Sequence, residues 1–205
     1  MERRDVLKTL GAAFSLPILE HLSPGEVLAL GQEVHARLRS NVGGGRYIFK
    51  TLDPHQNQTV SLLADLIIPE TDTPGAKAAR VNEFIDLMLS EWFTAEERDR
   101  FLQGLARLDE ESRAVCGKAL ADCDGGQQVE LLEAQQAAAT ESREREQQRT
   151  GTPVAAARSA EGHFFDVIKW LTLFGYFTSE IGMRDELGYE TFPVSYSGCA
   201  PFNRG

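Results

Sequence analysis

His163 and Asp166 stand three residues apart, a spacing that puts both side chains on one helix face and would suit an acid–base dyad. A polar pair at a helix start more often satisfies the free backbone groups there. Glu70 and Asp72 lie in the run Pro69-Glu70-Thr71-Asp72-Thr73-Pro74-Gly75-Ala76, where two carboxylates would suit a hard cation such as calcium. Acids in a proline-bracketed turn more often cap the next helix or close side-chain-to-backbone turns. Of the other histidines, His21 lies near the N-terminus and His35 and His55 in or near linkers. No two of the four have ligand spacing.

The motifs of self-sufficient catalysts are missing. There is no Gly-x-Ser-x-Gly elbow, no His-Glu-x-x-His zinc helix and no Cys-x-x-Cys-His haem site. No Gly-x-Gly-x-x-Gly follows a strand, so no dinucleotide fold is expected. Gly43-Gly44-Gly45-Arg46 lacks the Lys-Ser/Thr of a phosphate loop and reads as a linker. The residues therefore imply a chain with no catalytic, cofactor-binding or metal-ligating set of its own, colourless when purified alone.

The elements that would position these residues are helical. Asp53-Pro54 reads as an N-cap followed by proline at the first helical position. Val60, Leu63, Ala64, Ile67 and Ile68 then share a face until Pro69. After the Pro69–Ala76 loop, Val81, Phe84, Ile85, Met88, Leu89 and Trp92 form a core-facing stripe. Thr94 and Glu97 make a capping box for a helix carrying Phe101, Leu105, Leu108 and Val115 on one face, which Gly125-Gly126 is expected to close. Residues 127–148 are rich in helix formers, with a charged, solvated stretch at 140–146. His163 to Ile181 is apolar around most of its circumference, as in the central helix of a bundle. The spacing thus predicts an all-α bundle of about four to five principal helices with an extended C-terminal tail. Its expected divisions are a signal region 1–31, a linker or N-terminal arm 32–56, in which Tyr47-Ile48-Phe49 is an arm or brief strand, and a helical domain 57–205.

The first residues, Arg3-Arg4-Asp5-Val6-Leu7-Lys8, match the twin-arginine export pattern, and Thr9–Leu19 is a mildly apolar stretch too short to span a bilayer. Ala29-Leu30-Gly31 has the small residues of a cleavage site; an uncleaved signal that tethers the protein to the membrane is the alternative. Both place the protein in the periplasm or on the periplasmic side of a membrane. The net charge of −10 over 205 residues and the lack of a basic stripe exclude nucleic acid as a partner.

Cys116, Cys123 and Cys199 are odd in number, so at least one thiol of an exported chain is unpaired or reaches outside it. On one continuous helix Cys116 and Cys123 would lie about 10 Å apart, beyond disulfide range. They can bond only if the helix breaks between them, and Gly125-Gly126 places the break after Cys123. Cys199, in a Gly- and Pro-flanked tail, is the thiol expected to be accessible.

The stretch Leu63-Ala64-Asp65-Leu66-Ile67-Ile68-Pro69-Glu70-Thr71-Asp72-Thr73-Pro74-Gly75-Ala76, continuing through Val81-Asn82-Glu83-Phe84-Ile85-Asp86, resembles the gluconate 2-dehydrogenase subunit 3 family. Gly175-Tyr176-Phe177-Thr178-Ser179-Glu180-Ile181-Gly182 resembles that family's C-terminal helix. Gly188-Tyr189 with Tyr196-Ser197-Gly198-Cys199-Ala200-Pro201 resembles its tail. The resemblance implies a small subunit without a redox centre. Its partners would be an FAD dehydrogenase subunit of the glucose–methanol–choline class, often a cytochrome c subunit, and the twin-arginine machinery. It leaves the sugar, sugar acid or alcohol substrate open, since the partner selects it. Pro69, Thr71, Asp72, Pro74, Tyr189, Phe192, Tyr196 and Cys199 are the expected partner interface, and Arg3 and Arg4 the export address. The contrasting reading is a stand-alone exported helical protein, either an envelope binding module or a small hydrolytic or metal-dependent enzyme using Glu70, Asp72 and His163.

Overall fold

Three helices begin where a carboxylate or hydroxyl meets a glutamine or glutamate three residues on. Asp53 accepts from the Gln56 N–H at 2.8 Å while its own N–H donates to the Gln56 side chain at 3.0 Å. Thr94 and Glu97 repeat the reciprocal bond at 3.3 and 2.8 Å, and Asp124 and Gln127 do so at 3.0 and 3.2 Å. Each box satisfies donors that a helix start otherwise leaves open.

The computed structural model describes residues 23–40, 47–150 and 163–188. Within them the helices are α1 (Pro24–Ser40), α2 (Pro54–Ile67), α3 (Val81–Glu91), α4 (Ala95–Cys116), α5 (Gly125–Thr150) and α6 (Phe164–Phe177). A 3₁₀ turn spans Leu120–Asp122 and a π-turn Gly182–Glu186. No strand occurs among the described residues. The all-α reading holds, with one helix beyond the four to five principal ones expected: α1, whose second half carries the short helical pattern through Val34 and Leu38 and whose first half lies in the stretch read as signal. Position 31, the expected end of the signal, lies inside this helix.

α6 is the central helix. It touches α2, α3, α4 and α5 and buries Phe165, Ile168, Trp170, Leu171, Leu173, Phe174, Tyr176 and Phe177. The stripe on α3 packs against it, with Val81, Phe84, Ile85, Met88 and Leu89 fully buried; the Phe84 and Phe174 rings meet edge-on, centroids 5.3 Å apart. α1 lies across α3 through Val34 and Leu38, and its His35 ring packs on Phe84. α5 covers α6 through Leu131 and Ala139, and its 140–145 stretch faces mostly outward, as its charge requires. No described helix is long and apolar enough to cross a membrane.

Two expectations about α4 are corrected. The helix closes at Gly117, not at Gly125-Gly126; Gly117 has φ 71°, the left-handed conformation that only glycine adopts without strain. Gly125 instead begins α5, behind the Asp124 cap. Val115 is 72 % exposed rather than core. The chain after Gly117 folds back over the side of α4 that carries Asp109 and Ser112, so the turn around Val115 gains no cover.

The Tyr47–Phe49 arm is irregular, and a buried carboxylate holds it in place. Asp86, fully buried on α3, accepts from Tyr47 Oη (2.8 Å) and from the N–H groups of Lys50 (2.9 Å), Thr51 (2.9 Å) and Leu52 (2.8 Å). Four donors on two oxygens offset the cost of burying the charge.

Candidate partner-binding loop

Pro69 cannot continue α2, and the chain then forms a closed loop rather than a random connection. Ala76 N–H donates to Ile68 C=O at 2.9 Å, and Thr71 N–H donates to Thr73 C=O at 3.1 Å. Gly75 sits where the two limbs cross; a Cβ there would lie 2.6 Å from the Glu70 nitrogen, so no side chain fits. Two long-range bonds seat the loop on the end of α6. Tyr176 Oη donates to Pro74 C=O at 2.7 Å, and Thr73 Oγ1 donates to Glu186 at 2.8 Å. Burial pushes the Tyr176 phenol above its ordinary pKa; the neighbouring Thr73 side chain opposes this, and the Glu186 and Asp185 carboxylates add to it. The phenol stays protonated, and thus remains a donor, throughout the physiological range.

The loop therefore has an anchored limb and a free one. Gly75 and Ala76 are buried and Thr73 and Pro74 half-buried, while Pro69, Glu70, Thr71 and Asp72 are exposed. Asp72 accepts the Thr71 hydroxyl at 3.0 Å. The described residues end at Gly188, two positions beyond Glu186, at the end of the molecule that holds the loop. Tyr189, Phe192, Tyr196 and Cys199 lie outside the described residues, as do Arg3 and Arg4.

His163 and Asp166 take separate tasks. His163 Nδ1 accepts the Phe165 N–H at 3.3 Å as the N-cap of α6, and Asp166 pairs with Arg143 at 3.5 Å. Burial lifts the Asp166 carboxyl above its ordinary value, against the pull of Arg143, His163 and Lys169. Glu70 and Asp72 meet no histidine or third acid: among the described residues no three His, Cys, Asp or Glu side chains converge in a way that could hold a metal ion.

The histidine–carboxylate pair that does form went unread in the sequence. His55 Nε2, at the start of α2, bonds Asp109 of α4, whose other oxygen accepts the Leu120 N–H at 3.3 Å. Arg113 stands 3.9 Å from the same carboxylate. Asp109 is 6 % exposed, so the group ties α2, α4 and the 3₁₀ turn together. A signal for it existed: Asp109, like Asp86, falls on or beside an apolar stripe, where an acid must have partners.

Helices packed around one apolar helix, with their buried polar groups committed to loops and caps, define a small all-α protein domain. The family profile of gluconate 2-dehydrogenase subunit 3 matches residues 54–194, well over half of the chain, and the chain belongs to that family. Membership makes it a subunit of a dehydrogenase complex and implies partner subunits. No curated protein and no solved structure matches the chain.

Proposed function

We propose that this chain is a non-catalytic small subunit that binds a glucose–methanol–choline-type FAD dehydrogenase and helps it mature and leave the cytoplasm by the twin-arginine route. A cytochrome c subunit would complete the complex at the periplasmic face of the membrane. The observation that carries this reading is the family match across residues 54–194, which takes in both the Pro69–Ala76 loop and the start of the tail. The loop supports it. Anchored by Tyr176 and Glu186, it presents Pro69, Thr71 and Asp72 in one preformed shape, and a preformed surface loses little entropy on binding. The aromatic residues Tyr189, Phe192 and Tyr196 are of the type that dominates interface energetics.

An affinity-tagged chain captured from periplasm should bring with it a flavin oxidoreductase, while the isolated chain shows no flavin or haem absorbance. Tyr189→Ala, Phe192→Ala and Tyr196→Ala should leave the isolated subunit folded and weaken capture, an anchor of this kind contributing on the order of 2 kcal/mol, or roughly thirtyfold in affinity. Variants that melt several degrees lower yet bind normally would move the interface elsewhere. A pure monomer that turns over an alcohol or ester unaided would overturn the reading.

A further inference from the structure

The break at Gly117 changes what Cys116 and Cys123 can do. After α4 ends, Lys118 and Ala119 carry the chain back over the helix, and Ser112 Oγ holds the return by donating to Lys118 C=O at 2.9 Å. The 3₁₀ turn then delivers the Cys123 sulfur to 3.2 Å from Ser112 Oγ and 3.4 Å from Ala119 C=O. Ser112 is one helical turn before Cys116, so the Cys123 sulfur lies along the strip of α4 that ends at Cys116. Both cysteines are present as free thiols. A seven-residue spacing that a straight helix would hold apart is thus shortened by the turn, which brings Cys123 to Ser112, one helical turn from Cys116.

We propose that Cys116 and Cys123 form an intrachain disulfide site, closed by thiol–disulfide exchange with a disulfide donor, either a dithiol oxidase or a small-molecule disulfide. Cys116, partly accessible where Cys123 is buried, reacts first. It gives its proton to solvent, and its thiolate attacks one donor sulfur and releases the other as a thiolate. Cys123 then loses its proton and attacks the Cys116 sulfur of the mixed disulfide, releasing the second donor thiolate. Two protein thiols are oxidised, one donor disulfide is reduced, and two protons pass through solvent to the released thiolates.

The bridge is structural rather than catalytic. Burial, together with the adjacent Cys123, raises the Cys116 pKa, and a high-pKa thiol is a poor leaving group, which makes the closed bridge slow to open. It would staple the end of α4 to the 3₁₀ turn that carries Leu120, 1 % exposed, into the core. It also leaves Cys199 as the odd thiol of the chain.

The test needs neither partner nor export, so its outcome is separate from that of the proposed function. The full-length Cys199→Ser chain is equilibrated with oxidised glutathione, alkylated in denaturant and digested with trypsin. Cleavage after Arg113 and Lys118 puts the two cysteines on different peptides. The expected product is those peptides joined by a disulfide, with an unfolding midpoint roughly 5 °C above that of the reduced chain. Cys116→Ser and Cys123→Ser should each abolish the oxidation-dependent shift. Full alkylation of both cysteines, or glutathione retained on Cys116 without closure, would overturn the proposal. Repeated on the wild-type chain, a link from Cys199 to either cysteine in place of the Cys116–Cys123 link would overturn it as well.

Discussion

Asp86 holds four donors, and three of them are backbone N–H groups that no other side chain serves in this arrangement. Asp86→Ala would leave those donors and the Tyr47 hydroxyl to find water at a buried site. The expected loss is about 3 kcal/mol, measured by chemical denaturation at neutral pH; a loss below about 1 kcal/mol would mean that the arm is not held by this carboxylate. His35 makes a second residue-level prediction. Burial against Phe84 lowers its pKa to about 4, opposed by the hydrogen bond to the Gly175 carbonyl and aided by a smaller push from Arg39. Its Nε2–H donates to Gly175 C=O at 3.0 Å, so the folded state keeps the neutral ring. Because the folded pKa lies below the ordinary 6.5, the unfolded chain binds the extra proton first as pH falls. This contribution is therefore fully present above pH 6.5 and is lost between 6.5 and about 4, a change of about 3 kcal/mol. His35→Gln, which keeps a donor but cannot titrate, should flatten that part of the stability–pH curve relative to wild type. Parallel curves for the two proteins would refute the assignment.

At the scale of elements, the helix starts were legible because capping is local: Asp53 with Gln56 and Thr94 with Glu97 act within one turn of chain. The end of α4 was not legible, because two glycine signals compete within ten residues and only the packing of Leu120 selects Gly117. α1 yields an element-level prediction. Val27 and Leu30 pack on the core, and Gly31 is buried against Thr178 with no room for a side chain. A chain beginning at Gln32 loses the first half of this helix and should melt several degrees below one beginning at Ser23, measured by calorimetry. Equal midpoints would show that this half of α1 contributes nothing to the fold. The same packing bears on processing, since cleavage after Gly31 requires this half of the helix to open locally.

For the whole molecule, the prediction concerns its route through the cell. Arg3 and Arg4 are the expected export address, read by a receptor rather than by the fold, so Arg3→Lys with Arg4→Lys should leave the melting curve unchanged while the protein accumulates in the cytoplasm, followed by cell fractionation and immunoblotting. If the small subunit exports its partner, flavin dehydrogenase activity disappears from the periplasm of the same cells. Normal periplasmic levels of the double variant would end the export reading.

The amino-acid sequence alone determined the helical class, four of the core-facing stripes, two of the capping boxes and the family signature around Pro69–Ala76. Each of these is written in residues near one another along the chain, where 3.6-residue periodicity and turn chemistry operate. Tertiary structure decided which polar residues meet. His55 finds Asp109 across 54 positions, Tyr176 finds Pro74 across 102, and His35 finds Gly175 across 140. It likewise left Glu70, Asp72 and His163 outside any cluster that could hold a metal ion among the described residues, and brought Cys123 to Ser112, one turn from Cys116, across a break whose place depends on packing. Pairings of this kind follow from how the helices cross, and a crossing is set by side-chain volumes summed over several elements rather than by any one stretch of sequence.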